Sequence, residues 1–304
     1  MSVIITEPTA TEAGVRPTAR SGPFRSFMHA MLRSKTGFIG FVVFTLLVLM
    51  ALFGPLIVTP EKVANVNEIF QAPGWSHLLG TDNQGKDNLR QIIGGGRDVI
   101  VVGLVSALVS TVIAVLFGAL AAYVRGWLDS LAIQLADFVL TIPQFVLLAV
   151  LSAYVRFSST IWLAVLIGLL SWPGLLRAVR AQVLSLKERE YVEAARLMDL
   201  GTFRIIVREM MPNMASYLLI NFITAMTGAV YSLAGLYLLG LAPMSGTNWG
   251  IMINESWTGG AIYNPSSAFW LLSPLIAISL LQLSAIWMMR SLEEIANPRL
   301  REAA

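Results

Sequence analysis

The chain has 304 residues, 56% hydrophobic and only 13% charged. Soluble domains carry about 25% charged residues, so this composition excludes an ordinary soluble domain and describes an integral membrane protein. With no cysteine and only two histidines, His29 and His77, it can form no disulfide, thiolate nucleophile or Cys-ligated metal site, and a histidine-rich metal site is disfavoured.

Residues 1–36 are polar, carry Arg16, Arg20, Arg25, Arg33 and Lys35, and are expected to lack fixed structure over their first part. They are not a secretory signal, because the next apolar run starts too late and is too long for one. That run, 37–58, is long enough to cross a bilayer core of about 30 Å. Further spans are predicted at 99–123, 131–155, 160–182, 214–241 and 266–289. The fold class that results is an all-α membrane protein with six transmembrane helices.

Orientation follows from lysine and arginine near the helix ends. With the N-terminus inside, sixteen of the 21 cations fall on the inner face, and the outer face keeps Lys62, Lys86, Arg90, Arg97 and Arg156. The expected organisation is a cytoplasmic tail at 1–36, the first span at 37–58 and an extracytoplasmic loop at 59–98. A core with five spans follows over 99–292, and a cytoplasmic tail over 293–304.

In the outer loop, Gly80-Thr81-Asp82 and Gly85-Lys86-Asp87 read as tight turns, since glycine supplies φ > 0 and aspartate makes Asx-turns. Asp87 to Arg97 leads into the second span. In the third span Asp137 is the one carboxylate well inside a predicted helix, and Pro143 follows it and locally frees backbone carbonyls. An intramembrane carboxylate suggests a proton relay or ion site, which is how an ion-coupled secondary transporter or channel would use it. A relay needs titratable partners, and the sequence shows none nearby. The other reading is pairing with Arg125, Arg177 or Arg180.

The stretch Ser185 to Asn213 is the longest highly charged segment between membrane-length apolar runs. Ser185 and Glu188 have capping-box spacing, and the helix they start is predicted to reach Met198, with Tyr191, Ala194, Ala195 and Met198 on one face. Asp199-Leu200-Gly201 breaks it. Thr202 can cap a second helix with Phe203, Ile206, Val207, Met210 and Met211 as its apolar stripe; Arg204 and Arg208 lie on the polar side, and Pro212 marks a new start. Such a segment is either a docking element, in which alanines let a partner approach the backbone, or an amphipathic loop lying on lipid headgroups.

In the fifth span Asn221, Thr224, Thr227, Gly228, Tyr231 and Ser232 are small or polar. Thr224, Gly228 and Ser232 share a face, which serves close packing or lines a polar path. The last outer loop, 242–265, contains Ser245-Gly246-Thr247-Asn248, read as a flexible turn. Trp249, Trp257, Tyr263 and Trp270 crowd its rim, as in an interfacial aromatic belt or a contact for a docked receptor or sugar rings. There is no phosphate-binding P-loop, no Ser-His-Asp set or carboxylate pair for hydrolysis, and no evident internal repeat of the kind secondary transporters carry.

Two of these stretches resemble one family. Glu193-Ala194-Ala195, the turn, Ile205-Ile206 and Met211-Pro212-Asn213 resemble the Glu-Ala-Ala loop of ABC-importer permeases. Gly80-Thr81-Asp82 with Gly85-Lys86-Asp87 resembles the Gly-Thr-Asp…Gly-Arg-Asp signature of the dipeptide/oligopeptide/nickel type, with Lys86 in place of arginine. The match covers residues 37–301 and is to the C-type permease subunit. It implies the type I importer permease fold, with a cytoplasmic coupling helix whose contacts to an ATPase are Glu193, Ala194, Ala195, Arg196, Asp199 and Gly201. In a permease of that kind the polar path read above from the fifth span would be a translocation path lined by Asn221, Thr224, Gly228, Tyr231 and Ser232.

The partners implied are a homologous second permease, two cytoplasmic ATPases that bind ATP and Mg, an extracytoplasmic solute-binding protein and the bilayer, with no nucleic acid. The chain itself is expected to be non-catalytic and cofactor-free, in the inner membrane of a prokaryote with both termini cytoplasmic. Departures from the family are Asp199 where many members have glycine, a missing Gln-Pro-Pro after Leu239-Gly240, and a C-terminal Arg290-Ser-Leu-Glu-Glu ending in Asn297-Pro298-Arg299-Leu300. These resemble family members that carry oligosaccharides, so oligosaccharides and di- or oligopeptides both stand as expected cargo.

Overall fold

The computed structural model describes residues 32, 34–58, 63–155 and 159–296. The readings of most of the N-terminal tail and of Asn297 to Leu300 lie outside the described residues. Among the described residues five helices are long and apolar enough to cross a membrane, or six spans if a bent pair of helices counts as one. Helix α1 is Lys35–Ile57, capped by Ser34, whose hydroxyl accepts from the Gly37 amide at 3.1 Å. Helix α2 is Asn88–Val124, α3 Trp127–Thr141, α4 Gln144–Tyr154 and α5 Thr160–Lys187. A short α6, Glu190–Leu197, follows, then α7, Thr202–Leu238, a short α8, Trp249–Thr258, and α9, Ala268–Ala296.

The predicted third span is two helices, α3 and α4, meeting at 76°. Pro143 supplies no N–H and pushes Ile142 out of helical geometry, to φ −92° and ψ 126°, as expected for the residue before a proline. The second span starts at Asn88 rather than at 99. The Asp87 carboxylate caps it by accepting from the Arg90 amide at 3.1 Å. The Gly94-Gly95-Gly96 run weakens intrinsic helicity, but packing overrides it. A Cβ on Gly95 would stand 2.7 Å from Asn248 Cα, and one on Gly96 2.8 Å from the Trp249 ring. Only hydrogen at these positions lets α8 lie against α2.

That contact corrects the reading of the last loop. Trp249 and Trp270 are fully buried rather than part of a rim belt, whereas Trp257 and Tyr263 are exposed. Trp249 Nε1 donates to the Ile92 carbonyl at 2.8 Å. Asn248 is not in a flexible turn: it caps α8 by accepting from the Ile251 amide and donates to Tyr237 Oη at 2.8 Å. The reason is that α8 folds back between α2, α7 and α9, so its apolar residues find protein.

The two largest of the four apolar clusters among the described residues divide the bundle along its length. One surrounds Trp249 and Tyr237 with Ile100, Leu148, Leu163, Ile167 and Leu233. The other, at the far end, joins Ala119, Ala122, Leu176, Val179 and Val183 to Val192 and Ala195 of α6 and to Ile205, Ile206, Met210 and Met214 of α7. Helices α2 and α5 run through both, and Ser106 Oγ donates to the Ala164 carbonyl at 2.7 Å where they touch. A hydroxyl bonded to a neighbouring helix is a common way of fastening helices where no water is present.

Candidate functional site

The segment 185–213 forms a helical hairpin at one end of the bundle, built differently from its predicted form. Ser185 lies inside α5, which runs on to Lys187, so no capping box forms. Apolar packing of Val183 and Leu186 outweighs the local signal. The residue before α6 is Arg189, with no side-chain cap. Helix α6 instead has Glu190 and Glu193 in its first turn and Arg196 in its last, charges that complement the helix dipole.

It ends in a Schellman motif: the Leu200 amide donates to the Ala195 carbonyl at 3.2 Å and the Asp199 amide to that of Arg196 at 2.9 Å. Asp199 holds the left-handed position at φ 54°, which short polar residues tolerate better than most. Gly201 has φ −57° and needs no glycine conformation. Gly201, not Thr202, is the cap residue of α7, with no side-chain bond. The turn is closed by backbone bonds, so Thr202 is left free of that task.

The stripe of α7 also shifts. Ile205–Met210 is a π-helical turn, followed by a tighter turn over Met211–Met214. Pro212 has no N–H for the carbonyl four residues back, and five-residue bonding before it re-registers the helix. The buried set is therefore Ile205, Ile206, Met210 and Met214, while Phe203 is 73% exposed. In α6, Val192 and Ala195 face the bundle, Ala195 only 2% exposed, and Glu193 and Ala194 face out. Leu197 is 84% exposed and Met198 66%. The hairpin thus presents an apolar patch of Leu197, Met198 and Phe203 beside Glu193, Ala194 and Arg204. Sequence periodicity missed Leu197, and it grouped Met198 with Ala195 and Phe203 with Ile206 and Met210, pairs that the structure divides between an exposed and a buried side.

Behind the patch, charges are paired between helices. Arg180 Nε and Nη2 donate to the two oxygens of Asp129 at 2.6 and 2.7 Å. Arg125 Nη2 donates to Glu188 at 2.9 Å. Asp137, the residue considered for ion coupling, accepts from Arg177, with Nε at 3.1 Å, and both groups are about half exposed. Among the described residues, no group of three or more His, Asp or Glu side chains is placed to hold a metal.

On α7, the inward face is Ile223, Met226, Ala229, Val230 and Leu233. Thr224, Gly228 and Tyr231 are exposed, and Asn221 and Ser232 are partly buried. A Cβ on Gly228 would meet nothing within 4 Å. The small-residue face is therefore open at Gly228, whereas at Thr224 it meets α9, the Thr224 hydroxyl lying 3.3 Å from Met289 Sδ. Thr224 satisfies its hydroxyl on the Ile220 carbonyl at 3.0 Å, and Asn221 its amide on that of Tyr217 at 2.9 Å.

A bundle of apolar helices, one of them broken, with a short charged hairpin at one end is the build of a multi-pass transport permease. Residues 114–301 match the family described as "binding-protein-dependent transport system inner membrane component", and residues 22–73 match the "N-terminal TM domain of oligopeptide transport permease C". A candidate peptide permease protein of Brucella suis biovar 1 is 34% identical over 242 residues, 78% of this chain and 79% of that protein. A candidate peptide transport system permease protein of the same organism is 31% identical over 291 residues, 94% and 95% of the two chains. The oligopeptide transport system permease protein OppC of Mycobacterium bovis is 35% identical over 187 residues, 61% and 64% of the two. The chain belongs to the binding-protein-dependent permeases, the membrane-spanning components of ABC importers, and is a multi-pass protein of the cytoplasmic membrane.

Proposed function

We propose that this permease carries di- or oligopeptides, and that the 185–213 hairpin is its coupling element. The observation that carries the second part is the exposed patch of Leu197, Met198 and Phe203 on a hairpin whose other face is firmly packed. A large apolar group left in water next to charges marks a contact surface. Positive charge near this end supports a cytoplasmic position for it and for both termini. There it meets one of two ATPase subunits, which bind ATP and Mg and perform the hydrolysis. A homologous permease completes the pore, and an extracytoplasmic binding protein delivers cargo.

Glu193, Ala194 and Asp199 frame the docking patch, and Arg196 stands behind it, turned onto the Tyr123 ring. Ala195 and Gly201 shape it from behind, Ala195 by letting α6 lie close to the core. ATPase closure pushes the hairpin and shifts the bundle between inward and outward access, which takes only a few kcal/mol of differential contact. The outward side of α7, with Asn221, Thr224, Gly228, Tyr231 and Ser232, faces the second permease and the path between them. The names of the Brucella and Mycobacterium relatives support peptides over oligosaccharides.

The test is Leu197→Glu in the full complex. It puts a charge into a desolvated contact without touching the bundle core, and the ATPase subunits are expected to be lost on purification while the second permease stays. Full ATPase retention with normal uptake would assign the hairpin to the lipid surface instead. Labelled oligopeptide and oligosaccharide offered to the wild-type complex separate the two cargo classes.

A further inference from the structure

Three segments end together behind the docking patch: the last turn of α2, the last residue of α5 and the last turn of α6. Two cations lie over the Tyr123 ring there, Lys187 Nζ and Arg196 Cζ, each 5.2 Å from its centroid. Lys187 Nζ also donates to the Tyr123 carbonyl. Arg196 Nε donates to Tyr123 Oη at 3.3 Å, and Arg196 Nη2 reaches the Lys187 carbonyl at 3.5 Å. The Arg125–Glu188 pair ties the neighbouring turns together. Two like charges do not converge unaided. The electron-rich ring face and two carbonyls hold them, so the cluster depends on Tyr123.

We infer that Tyr123 is a positioning residue that fastens the coupling helix to α2, so that movement of α6 is passed to α2 as well as along the chain into α5 and α7. This rests on the reading of the hairpin as the ATPase contact. Helix α2 suits the task because it runs 37 residues without a break, about 55 Å at 1.5 Å per residue. Its first turn is capped by Asp87, which also receives His77 of the opposite loop at 2.9 Å. One rod therefore joins the hairpin at one end of the bundle to the ordered loop at the other. Arg196, an ATPase contact in the sequence reading, in this arrangement directs its guanidinium inward.

The test uses the complete complex in proteoliposomes, with binding protein loaded with a labelled oligopeptide. Tyr123→Phe keeps the ring and is expected to retain coupling. Tyr123→Leu removes it: subunit content and basal ATP hydrolysis stay, while stimulation by loaded binding protein and uptake per ATP fall about five- to tenfold, in the lower range of allosteric couplings. Normal stimulation and uptake per ATP in Tyr123→Leu overturn the proposal. Should that variant fail to assemble, Arg196→Gln decides. The clamp requires ATPase subunits retained and stimulation lost; loss of the ATPase, or normal stimulation, overturns it. Failure of the docking reading shows separately, as normal ATPase retention in Leu197→Glu.

Discussion

The two polar segments at opposite ends of the bundle handle the same kinds of residue in opposite ways. In the loop 63–87 Thr81, Asp82 and Asp87 turn inward. Asp82 is 2% exposed and its carboxylate accepts from the Gln84 amide at 2.7 Å, the Lys86 amide at 2.8 Å and Gln91 Nε2 at 2.7 Å. His77 bridges Asp87 and Glu68, at 2.9 and 3.6 Å. Thr81 accepts from the Gln71 amide and donates to the Glu68 carbonyl. The hairpin at the other end satisfies its backbone internally and leaves Leu197, Met198 and Phe203 uncovered. The loop has spent its buried carboxylates on itself and in that sense is a scaffold, while the apolar side chains that both segments leave in water, Trp75 of the loop as well as Leu197 of the hairpin, are surface for partners.

Breaking the scaffold should cost the most. Gly85 has φ 74°, and a Cβ there would stand 1.9 Å from the Asn65 carbonyl oxygen. Gly85→Val combines a left-handed β-branched residue with a backbone clash, for an expected loss of about 3 kcal/mol or more. The measurement is thermal unfolding of the purified permease pair in detergent; an unchanged midpoint would mean that the loop does not have this fold.

The hairpin should respond more gently to the matching change. Asp199→Gly relieves the left-handed strain at φ 54° and is expected to stabilise by up to about 1 kcal/mol. A drop in stability would show that the carboxylate of Asp199 does more than tolerate the turn.

The smallest effect concerns the seam between the loop and α8. Burial, with the nearby Asp82 charge adding to it and Lys86 opposing, holds the Glu255 carboxyl above its ordinary value of 4.5. A carboxyl with a raised folded pKa is penalised while ionised. That penalty is complete above the folded pKa and fades as pH falls through it toward the unfolded value. Glu255→Gln should therefore raise the unfolding midpoint at pH 7–8 and lose its advantage near pH 4. An equal gain at both pH values would trace the effect to packing rather than to charge.

Hydropathy in the sequence was enough for the five unbroken spans, because a stretch of about 20 apolar residues has few other places to go. The Gly-Thr-Asp and Glu-Ala-Ala stretches likewise identified the kind of permease, since each packs several chemically demanding positions into a short segment. Pro143 was visible as an interruption, but its 76° bend was not, because the angle depends on what α3 and α4 pack against. Trp249 and Trp270 read as rim residues until α8 was seen folded back against Gly95 and Gly96, a contact across more than 150 positions that no local pattern carries. The outward and inward faces of the hairpin were decided in the same way. Helical periodicity assigns faces only while the repeat stays at 3.6, and the Schellman turn at Asp199 and the π turn before Pro212 each change it. Tyr123, Lys187 and Arg196 lie up to 73 positions apart. Only the convergence of three helix ends brings their ring and charges together.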